Sequence, residues 1–491
     1  MAQEHGDRLS AVDTSFLQQE GPDTHMHVGA VTIFEGPPPA YEDFVAHIRS
    51  RLHLVPRYRQ KLAVPPFDTG RPLWVDDPDF NLEYHIRHTA LPSPGSEAQL
   101  RALAARVHSQ QLDRNKPLWE LWLVQGLEDG RFAFLTKAHH ALVDGISGVD
   151  LATVILDLTP VPQAVAHSDE PWTPRPEPSG AQMLARGLKG AVKAQAHIVS
   201  RAARAALDPP TTLAATREAA EGLGEIVWAA LNPAPATPLN VEIGPHRRLV
   251  FVRTELAEFK RVKNAFGGTV NDVVLAVAAG ALRTWLRARG VRTEGLELRA
   301  LVPVSTRTED ERHQLGNRIV AMRGPLPVYV EDPVARLRVV KQAMDGLKES
   351  KQALGAEVLT RLERFAPPTV LAQAVRINFS TRLFNLIVTN VPGPQFPLYL
   401  LGRELHDLFP IAFLPKDHAL AIAIMSYNGG IYWGLLGDYD ALPDIELVGE
   451  AIADTLGELV RAAEDERSDG AASSRARTSR PRTSDPASRA G

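Results

Sequence analysis

Cysteine is absent from the 491 residues of the sequence. This absence excludes disulfides, thiolate nucleophiles and cysteine-ligated zinc or iron–sulfur sites, and it agrees with a cytoplasmic location. Long hydrophobic runs are absent too, since no stretch approaches the roughly 20 apolar residues that a membrane-spanning helix needs. The first residues lack a basic head followed by an apolar core, so we expect no secretory signal. Any contact with a membrane should then be peripheral.

An excess of positive charge is also missing. The chain has 54 Lys and Arg against 58 Asp and Glu, for a net charge of −4. Without a basic field, the sequence predicts no nucleic-acid partner. Its 44% hydrophobic and 23% charged residues are typical of a globular protein, and its length predicts more than one domain.

The order of helix and strand signals predicts an α/β protein with two similar halves. A hairpin signal at Asp129-Gly130 and another at Asn428-Gly429 each separate two apolar runs. Proline-rich stretches frame a helical connector between the halves. We therefore predict an N-terminal domain at 1–165, a connector at 166–243, a C-terminal domain at 244–466 and a disordered tail at 467–491.

Two adjacent histidines, His139 and His140, stand where a predicted strand ends, in the stretch KAHHALVDGISG. Neighbouring side chains on a strand point to opposite faces, and no HExxH or third ligand is nearby, so the sequence predicts no metal site. One interpretation is a working base oriented by Asp144, with Gly145 giving the turn its freedom. The alternative is a core histidine beside a turn.

The pair belongs to HHALVDG (139–145), which fits the HHxxxDG pattern of coenzyme A-dependent acyltransferases built like chloramphenicol acetyltransferase. Further motifs follow the order expected for one branch of that group. With them, nearly the whole chain up to about Glu466 resembles the bacterial wax ester synthase/diacylglycerol acyltransferase family. The motifs are LSAVDTSFLQQEGPDTHMHVGAVTIFEG (9–36), PLWE (117–120), GTVNDVVLAVAAGALR (268–283), LVPVSTR (301–307), GNR (316–318) and IVTNVPGP (387–394).

The resemblance implies a function and a fold. His140 would be the general base, and His139 and Asp144 would support it. The family's fold pairs two chloramphenicol acetyltransferase-like domains about a pseudo-two-fold axis, with a tunnel between them. Acyl-CoA would be the co-substrate, without a further cofactor, and diacylglycerol or a long-chain alcohol the acceptor, giving triacylglycerol or wax esters.

Residue chemistry adds candidates around this base. Direct attack of the acceptor hydroxyl on the thioester needs an oxyanion donor, and Asn271 at the start of a predicted helix is a candidate. The alternative is that Asn271 or Asp272 caps that helix. Candidate substrate-binding residues, for which packing or backbone roles are the alternative, are Gly145, Pro117, Leu118, Trp119 and Asp272.

Other functions stay open at this point. The same fold serves condensation enzymes that take acyl groups from a carrier protein, and a non-catalytic lipid-binding protein or a metal-dependent hydrolase is also conceivable. Residues 182–207 form a basic amphipathic pattern typical of a helix at an anionic membrane, with a connector packed on the core as the alternative. We expect a cytoplasmic protein with peripheral contact at the inner face of the plasma membrane or at a lipid droplet.

Overall fold

The computed structural model describes residues 7–68, 70–143, 154–162, 172–185, 232–305, 319–349, 381 and 383–478. The elements before the connector are, in chain order, β1 (Asp7–Arg8), α1 (Ala11–Gln19), β2 (His27–Phe34), α2 (Tyr41–Arg51), β3 (Gln60–Ala63), β4 (Leu73–Asp76), α3 (Leu82–His85), β5 (Ile86–Ala90), α4 (Glu97–His108), β6 (Trp119–Gln125), β7 (Phe132–His139) and α5 (His140–Val143).

The elements after the connector begin with a long strand and end with a long helix. In chain order they are β8 (Arg247–Glu255), α6 (Leu256–Phe266), α7 (Val270–Ala288), β9 (Leu298–Ser305), β10 (Ile319–Leu326), α8 (Pro333–Glu349), β11 (Leu386–Pro392), β12 (Tyr399–Leu400), β13 (Arg403–Ile411), β14 (Leu420–Tyr427), β15 (Gly430–Asp438) and α9 (Ile445–Thr478). Strands and helices thus alternate through both halves, and the predicted α/β class is confirmed.

Two six-stranded sheets organise the described residues. The first has the order β12-β13-β2-β7-β6-β5, and the second has the order β10-β9-β11-β14-β15-β8. A small third sheet, β1-β4-β3, lies beside them. The predicted hairpins are confirmed: β6 pairs antiparallel with β7, and β14 pairs antiparallel with β15. Asn428 and Gly429 both have positive φ, as a tight two-residue turn requires.

One segment of the C-terminal half completes the N-terminal sheet. β13 pairs antiparallel with β2, from Leu405 opposite Phe34 to Ile411 opposite Gly29. The chain leaves the second sheet after β11, contributes β12 and β13 to the first, and returns as β14. The domain limits drawn from the sequence stay a prediction, but residues 399–411 belong by pairing to the first sheet.

The two sheets pack closely where this crossover passes. Phe251 of β8 stacks on Phe409 of β13 with ring centroids 4.2 Å apart. A Cβ at Gly434 of β15 would lie 1.8 Å from the carbonyl oxygen of Pro410, so only glycine fits there. Close backbone approach at this point therefore joins the halves into one core.

The apolar helix α7 lies at the centre of the C-terminal half. It is buried continuously from Asp272 to Arg283 and packs against α6, α8 and α9. A helix that is apolar on all sides must be covered on all sides, and these three helices cover it.

The C-terminal helix is longer than the sequence suggested. α9 continues to Thr478, so it includes residues 467–478 of the predicted tail, and the limits of that tail stay a prediction. Alanine and arginine in this stretch are good helix formers, and they extend a helix whose nucleation cost is already met by its packed part. The rest of the predicted tail, 479–491, lies outside the described residues.

Candidate active site

The histidine pair lies where β7 ends and α5 begins. His139 is the last residue of the strand and His140 the first residue of the helix. The backbone N–H of His139 donates to the carbonyl of Leu118 at 2.9 Å, and that of His140 donates to the carbonyl of Met26 at 2.8 Å. Because Leu118 precedes β6 and Met26 precedes β2, both neighbouring strands fix the pair.

The His140 ring lies between two phenylalanines from opposite ends of the chain. Its centroid is 4.1 Å from that of Phe16 in α1, and 5.3 Å from that of Phe413, which follows β13. His140 is partly exposed, whereas His139 is fully buried. Of the two residues, His140 is therefore the more exposed.

The ring of His139 has a defined protonation state. Burial lowers its pKa to about 3, although Glu20 opposes the shift, so the ring is neutral near pH 7. Its Nδ1 accepts a hydrogen bond from the backbone N–H of Ala141 at 3.1 Å. A neutral imidazole that accepts at one nitrogen carries its proton on the other, which assigns that proton to Nε2.

A buried carboxylate that the sequence reasoning missed lies beside this ring. Oε2 of Glu20 is 3.8 Å from Nε2 of His139, and Oε1 is 3.3 Å from Nε2 of His27. Arg114 Nε donates to Oε2 at 2.7 Å. One signal could have pointed here: His25 and His27 are two residues apart where β2 begins, the strand that pairs with the one carrying the histidine pair.

Further buried histidines surround His27. Burial lowers the pKa of His25, takes that of His27 well below its usual value, and takes that of His108 to about 3. Lys137 strengthens the effect on His27 and His108 through its positive charge. Lys137 is itself buried and donates from Nζ to the carbonyls of Val107 and Gln110, at 2.9 and 2.5 Å, at the end of α4. Arg247 acts on the same three rings, so the region behind the pair is a set of neutral imidazoles next to the cations Lys137 and Arg247.

The Pro117-Leu118-Trp119 segment supports the pair from the β6 side. The Leu118 carbonyl accepts from His139, and Trp119 is 1% exposed. The indole Nε1 of Trp119 donates to the carbonyl of Tyr58 at 2.7 Å, and the ring stacks on His85 at 4.4 Å. These contacts favour the packing alternative for Trp119, while a role of the segment in substrate binding stays a prediction.

Asn271 and Asp272 lie in the C-terminal half, in the first turn of α7. Asp272 forms a capping box with Thr269: Asp272 Oδ2 accepts from the Thr269 N–H at 2.7 Å, and Thr269 Oγ1 accepts from the Asp272 N–H at 3.2 Å. Thr269 is therefore the N-cap of the helix, and Asp272 is its partner at the third helical position, so the cap predicted at Asn271 or Asp272 lies at Thr269. Asn271 instead accepts at Oδ1 from Nδ2 of Asn390 in β11, at 3.2 Å. Its own amide N–H₂ is a donor, as the oxyanion hypothesis needs.

Two predicted site residues, Asp144 and Gly145, lie outside the described residues, which end at Val143 before the next gap. Across the described ranges, no group of three or more His, Cys, Asp or Glu side chains is arranged to hold a metal ion. In that same part of the chain, no single helix has the length and apolar composition to cross a membrane. α6 and α7 meet both criteria only as a pair, bent by 101°.

Two family descriptions match the chain. The "Wax ester synthase/diacylglycerol acyltransferase catalytic domain" matches residues 9–274. The "WS/DGAT C-terminal domain" matches residues 315–460. Together they extend over both halves, and the first contains the histidine pair, the Pro117-Leu118-Trp119 segment and Asn271.

Individual relatives agree with this match. The chain is 35% identical to "Probable diacyglycerol O-acyltransferase tgs1" of Mycobacterium tuberculosis (strain ATCC 25618 / H37Rv), over 92% of this chain and 95% of the relative. It is similar to the solved wax ester synthase/diacylglycerol acyltransferase from Marinobacter aquaeolei VT8, with a TM-score of 0.64, 30% identity and coverage of 93% and 100%. The starter condensation domain of rhizomide synthetase shares the fold, with a TM-score of 0.53, 13% identity and coverage of 94% and 95%. The chain belongs to the wax ester synthase/diacylglycerol acyltransferase family.

Proposed function

We propose that the protein is an acyl-CoA-dependent O-acyltransferase that moves a long-chain acyl group from CoA to diacylglycerol, with long-chain alcohols as a second acceptor class. One observation carries the catalytic part of the proposal. His140 is a partly exposed residue at the β7–α5 junction, its backbone held by a hydrogen bond to Met26 and its imidazole framed by Phe16 and Phe413. Imidazole titrates nearest to neutral pH among side chains, so it is suited to accept a hydroxyl proton.

In the proposed reaction, His140 takes the proton of the acceptor hydroxyl while the oxygen attacks the thioester carbonyl carbon. The new C–O bond converts the carbonyl into an oxyanion. Collapse of this intermediate breaks the C–S bond, and the leaving CoA thiolate takes the proton back from His140. No acyl-enzyme is needed, in agreement with a sequence that has neither a cysteine nor a GxSxG motif.

Asn271 is the proposed oxyanion donor. Its Oδ1 is occupied by the hydrogen bond from Asn390, so the amide plane is held and the N–H₂ group is the end left to donate. It also lies in the first turn of α7, where the helix dipole favours negative charge. Asp144 as an orienting residue and Gly145, Pro117, Leu118, Trp119 and Asp272 as substrate-binding residues remain part of the proposal.

The test is an assay of the purified protein with palmitoyl-CoA and diolein, following CoA release and triacylglycerol formation. We expect turnover by the parent and a loss of about 10²–10⁴-fold in the His140→Ala variant. His53→Ala, at a partly exposed histidine in the turn Leu52–Leu54, is the control and should keep parental activity. CoA release at background in the parent, or equal release by parent and His140→Ala, would overturn the proposal.

Hexadecanol in place of diolein tests the second acceptor class in the same assay. Wax ester formation at a rate that also depends on His140 is the expected result. Activity only with an acyl-phosphopantetheine carrier would support the condensation-type alternative instead.

We also propose that the protein works at a lipid surface, the cytoplasmic face of the membrane or a lipid droplet, because its acceptor and product are lipids. The predicted basic amphipathic helix would provide the contact, and its residues from 186 to 207 lie outside the described ranges. Flotation with vesicles of phosphatidylglycerol and phosphatidylcholine should recover the protein with anionic vesicles at low salt. Equal recovery with neutral vesicles, or none, would contradict a basic contact.

A further inference from the structure

Glu20 is an acidic side chain buried behind the histidine pair. It caps the C-terminal end of α1, and its side chain is 3% exposed. Taking a carboxylate out of water is costly unless its charge and its hydrogen-bonding oxygens are compensated. The groups around the Glu20 carboxylate therefore indicate which role the buried charge has.

One cation compensates the carboxylate. Arg114 donates from Nε to Oε2 at 2.7 Å, and its Nη2 lies 2.5 Å from the same oxygen. The same Nη2 donates to the carbonyl of Leu17 at 2.7 Å, so the guanidinium joins Glu20 to the helix that precedes it. Arg114 thus fixes the position of the carboxylate.

The rest of the carboxylate faces two neutral imidazoles. Oε1 is 3.3 Å from Nε2 of His27 but has no aligned hydrogen-bond donor among the residues that the structure describes. Oε2 is 3.8 Å from Nε2 of His139. His27 and His139 are directly opposite each other on β2 and β7, so a single carboxylate reaches both rings. Arg114 alone leaves this charge incompletely satisfied, which indicates a role beyond packing.

The His139 ring can occupy this place in one tautomer only. Its Nδ1 accepts from the Ala141 N–H, so the proton is on Nε2 and faces Glu20. If the proton moved to Nδ1, two N–H groups would oppose each other at 3.1 Å, and the first turn of α5 would have to shift. A negative charge next to Nε2 stabilises the tautomer that this turn needs.

We propose that Glu20 is a positioning residue for His140: held by Arg114, its carboxylate keeps the His139 proton on Nε2, and the Nδ1 of His139 in turn holds the turn that carries His140. The inference rests on the proposed function only for the role of His140. Glu20 does not contact the base itself in this arrangement but acts through His139.

The first test uses two substitutions at Glu20. Glu20→Leu removes the charge and the acceptor, and we expect kcat to fall about 10–100-fold, the range for partners one step removed from a reacting group. Glu20→Gln keeps an acceptor oxygen and should lose less than Glu20→Leu. Because the side chain is buried away from solvent, KM for palmitoyl-CoA should stay within about twofold of the parent. A rise in KM with unchanged kcat would overturn the assignment.

The second test is a double-mutant cycle with His139. If Glu20 acts through His139, the Glu20→Leu/His139→Ala variant should have the kcat of His139→Ala alone. Multiplicative losses would show that Glu20 acts independently, which contradicts the proposal.

Asp76→Asn is the matched control. Asp76 is a buried carboxylate of the small β1-β4-β3 sheet, with a side chain 7% exposed and an ion pair to Arg175, whose side chain is 45% exposed. Arg114 has 47% exposure, so each carboxylate is buried and paired with a half-exposed arginine. Within the described ranges Asp76 has no histidine partner, and it accepts instead from Gln60 Nε2 at 2.9 Å. Asp76→Asn should lower the thermal midpoint and leave kcat unchanged. A comparable loss of kcat in both variants would mean that Glu20 is merely structural.

A spectroscopic readout separates this inference from the proposed activity. Long-range ¹H–¹⁵N spectra of protein labelled at histidine show which ring nitrogen carries the proton, and His139→Asn identifies the His139 signals. The parent should show His139 protonated at Nε2, and Glu20→Leu should show an added population of the other tautomer. An unchanged Nε2–H signal in Glu20→Leu overturns the inference even when the parent is active. The expected shift supports it even if the parent releases no CoA, an outcome that would refute the acyl-transfer proposal alone.

Discussion

Nδ1 of His139 accepts the backbone hydrogen bond of Ala141 at 3.1 Å, so the first histidine of the pair caps the short helix that starts with the second. His139 thus has a structural contact at this junction, and the catalytic role of His140 stays a prediction. His139 is fully buried and neutral, whereas His140 is partly exposed as a residue. The two residues differ in burial because β7 ends at His139 and α5 begins at His140.

This hydrogen bond gives the first prediction. His139→Ala leaves the buried N–H of Ala141 without its acceptor, and we expect the free energy of unfolding to fall by about 1–3 kcal/mol. His139→Asn places an amide oxygen where Nδ1 was, so it should restore part of the stability and of kcat. Urea unfolding and steady-state assays of both variants check this. Equal losses for Ala and Asn would mean that the cap is unimportant.

The second prediction concerns the ring that follows the crossover. Phe413→Leu removes the edge-to-face contact with His140, and aromatic pairs contribute about 0.5–1.5 kcal/mol. We therefore expect kcat/KM to fall about two- to tenfold. Phe384→Leu is the control, because Phe384 stacks on the buried His418 at 4.3 Å instead. It should lower stability and leave kcat/KM near the parental value.

The third prediction separates the two neighbours at the start of α7. Asn271→Ala should lower kcat by about 10²–10³-fold if its amide stabilises the oxyanion. Asp272→Ala breaks the capping box and should instead lower the free energy of unfolding by about 1 kcal/mol. Kinetics and chemical unfolding of the two variants make the comparison. An Asn271→Ala variant with parental kcat would remove this residue from the mechanism.

The fourth prediction is acid sensitivity of the fold. Burial lowers the pKa of both His108 and His139 to about 3, so below pH 6.5 the unfolded chain binds protons that the folded chain does not. Stability therefore falls as pH decreases from 6.5 toward 3, by about 1.4 kcal/mol per such histidine at pH 5.5. Urea unfolding at pH 7.0 and 5.5 measures the effect. His108→Gln should reduce the difference in the free energy of unfolding between the two pH values by about the contribution of one histidine. An unchanged difference would contradict the prediction.

The sequence could predict what local patterns control. The β14–β15 turn follows from Asn428-Gly429, and α7 follows from an apolar run preceded by the capping residue Thr269. The histidine pair could be placed at the end of a strand for the same reason. Each of these features is determined by residues that are close to one another along the chain.

Long-range pairing could not be predicted in this way. β13 resembles any other strand in its sequence, and its place beside β2 depends on the packing of two sheets. Glu20 was missed because its partners are far along the chain: Arg114 lies in the connection between α4 and β6, and His139 lies in β7. In isolation, Glu20 reads as an ordinary charged residue before a Gly-Pro turn.

The crossover of β12 and β13 also has a consequence for biosynthesis. While the ribosome has made only the first half, β2 is an open sheet edge and Phe413 does not yet exist beside His140. The nascent chain must shield that edge until more than 400 residues have emerged, which makes early release a risk for aggregation. A truncated product that lacks β13 and Phe413 cannot assemble the environment of His140. We therefore expect it to have no activity toward acyl-CoA in the cell.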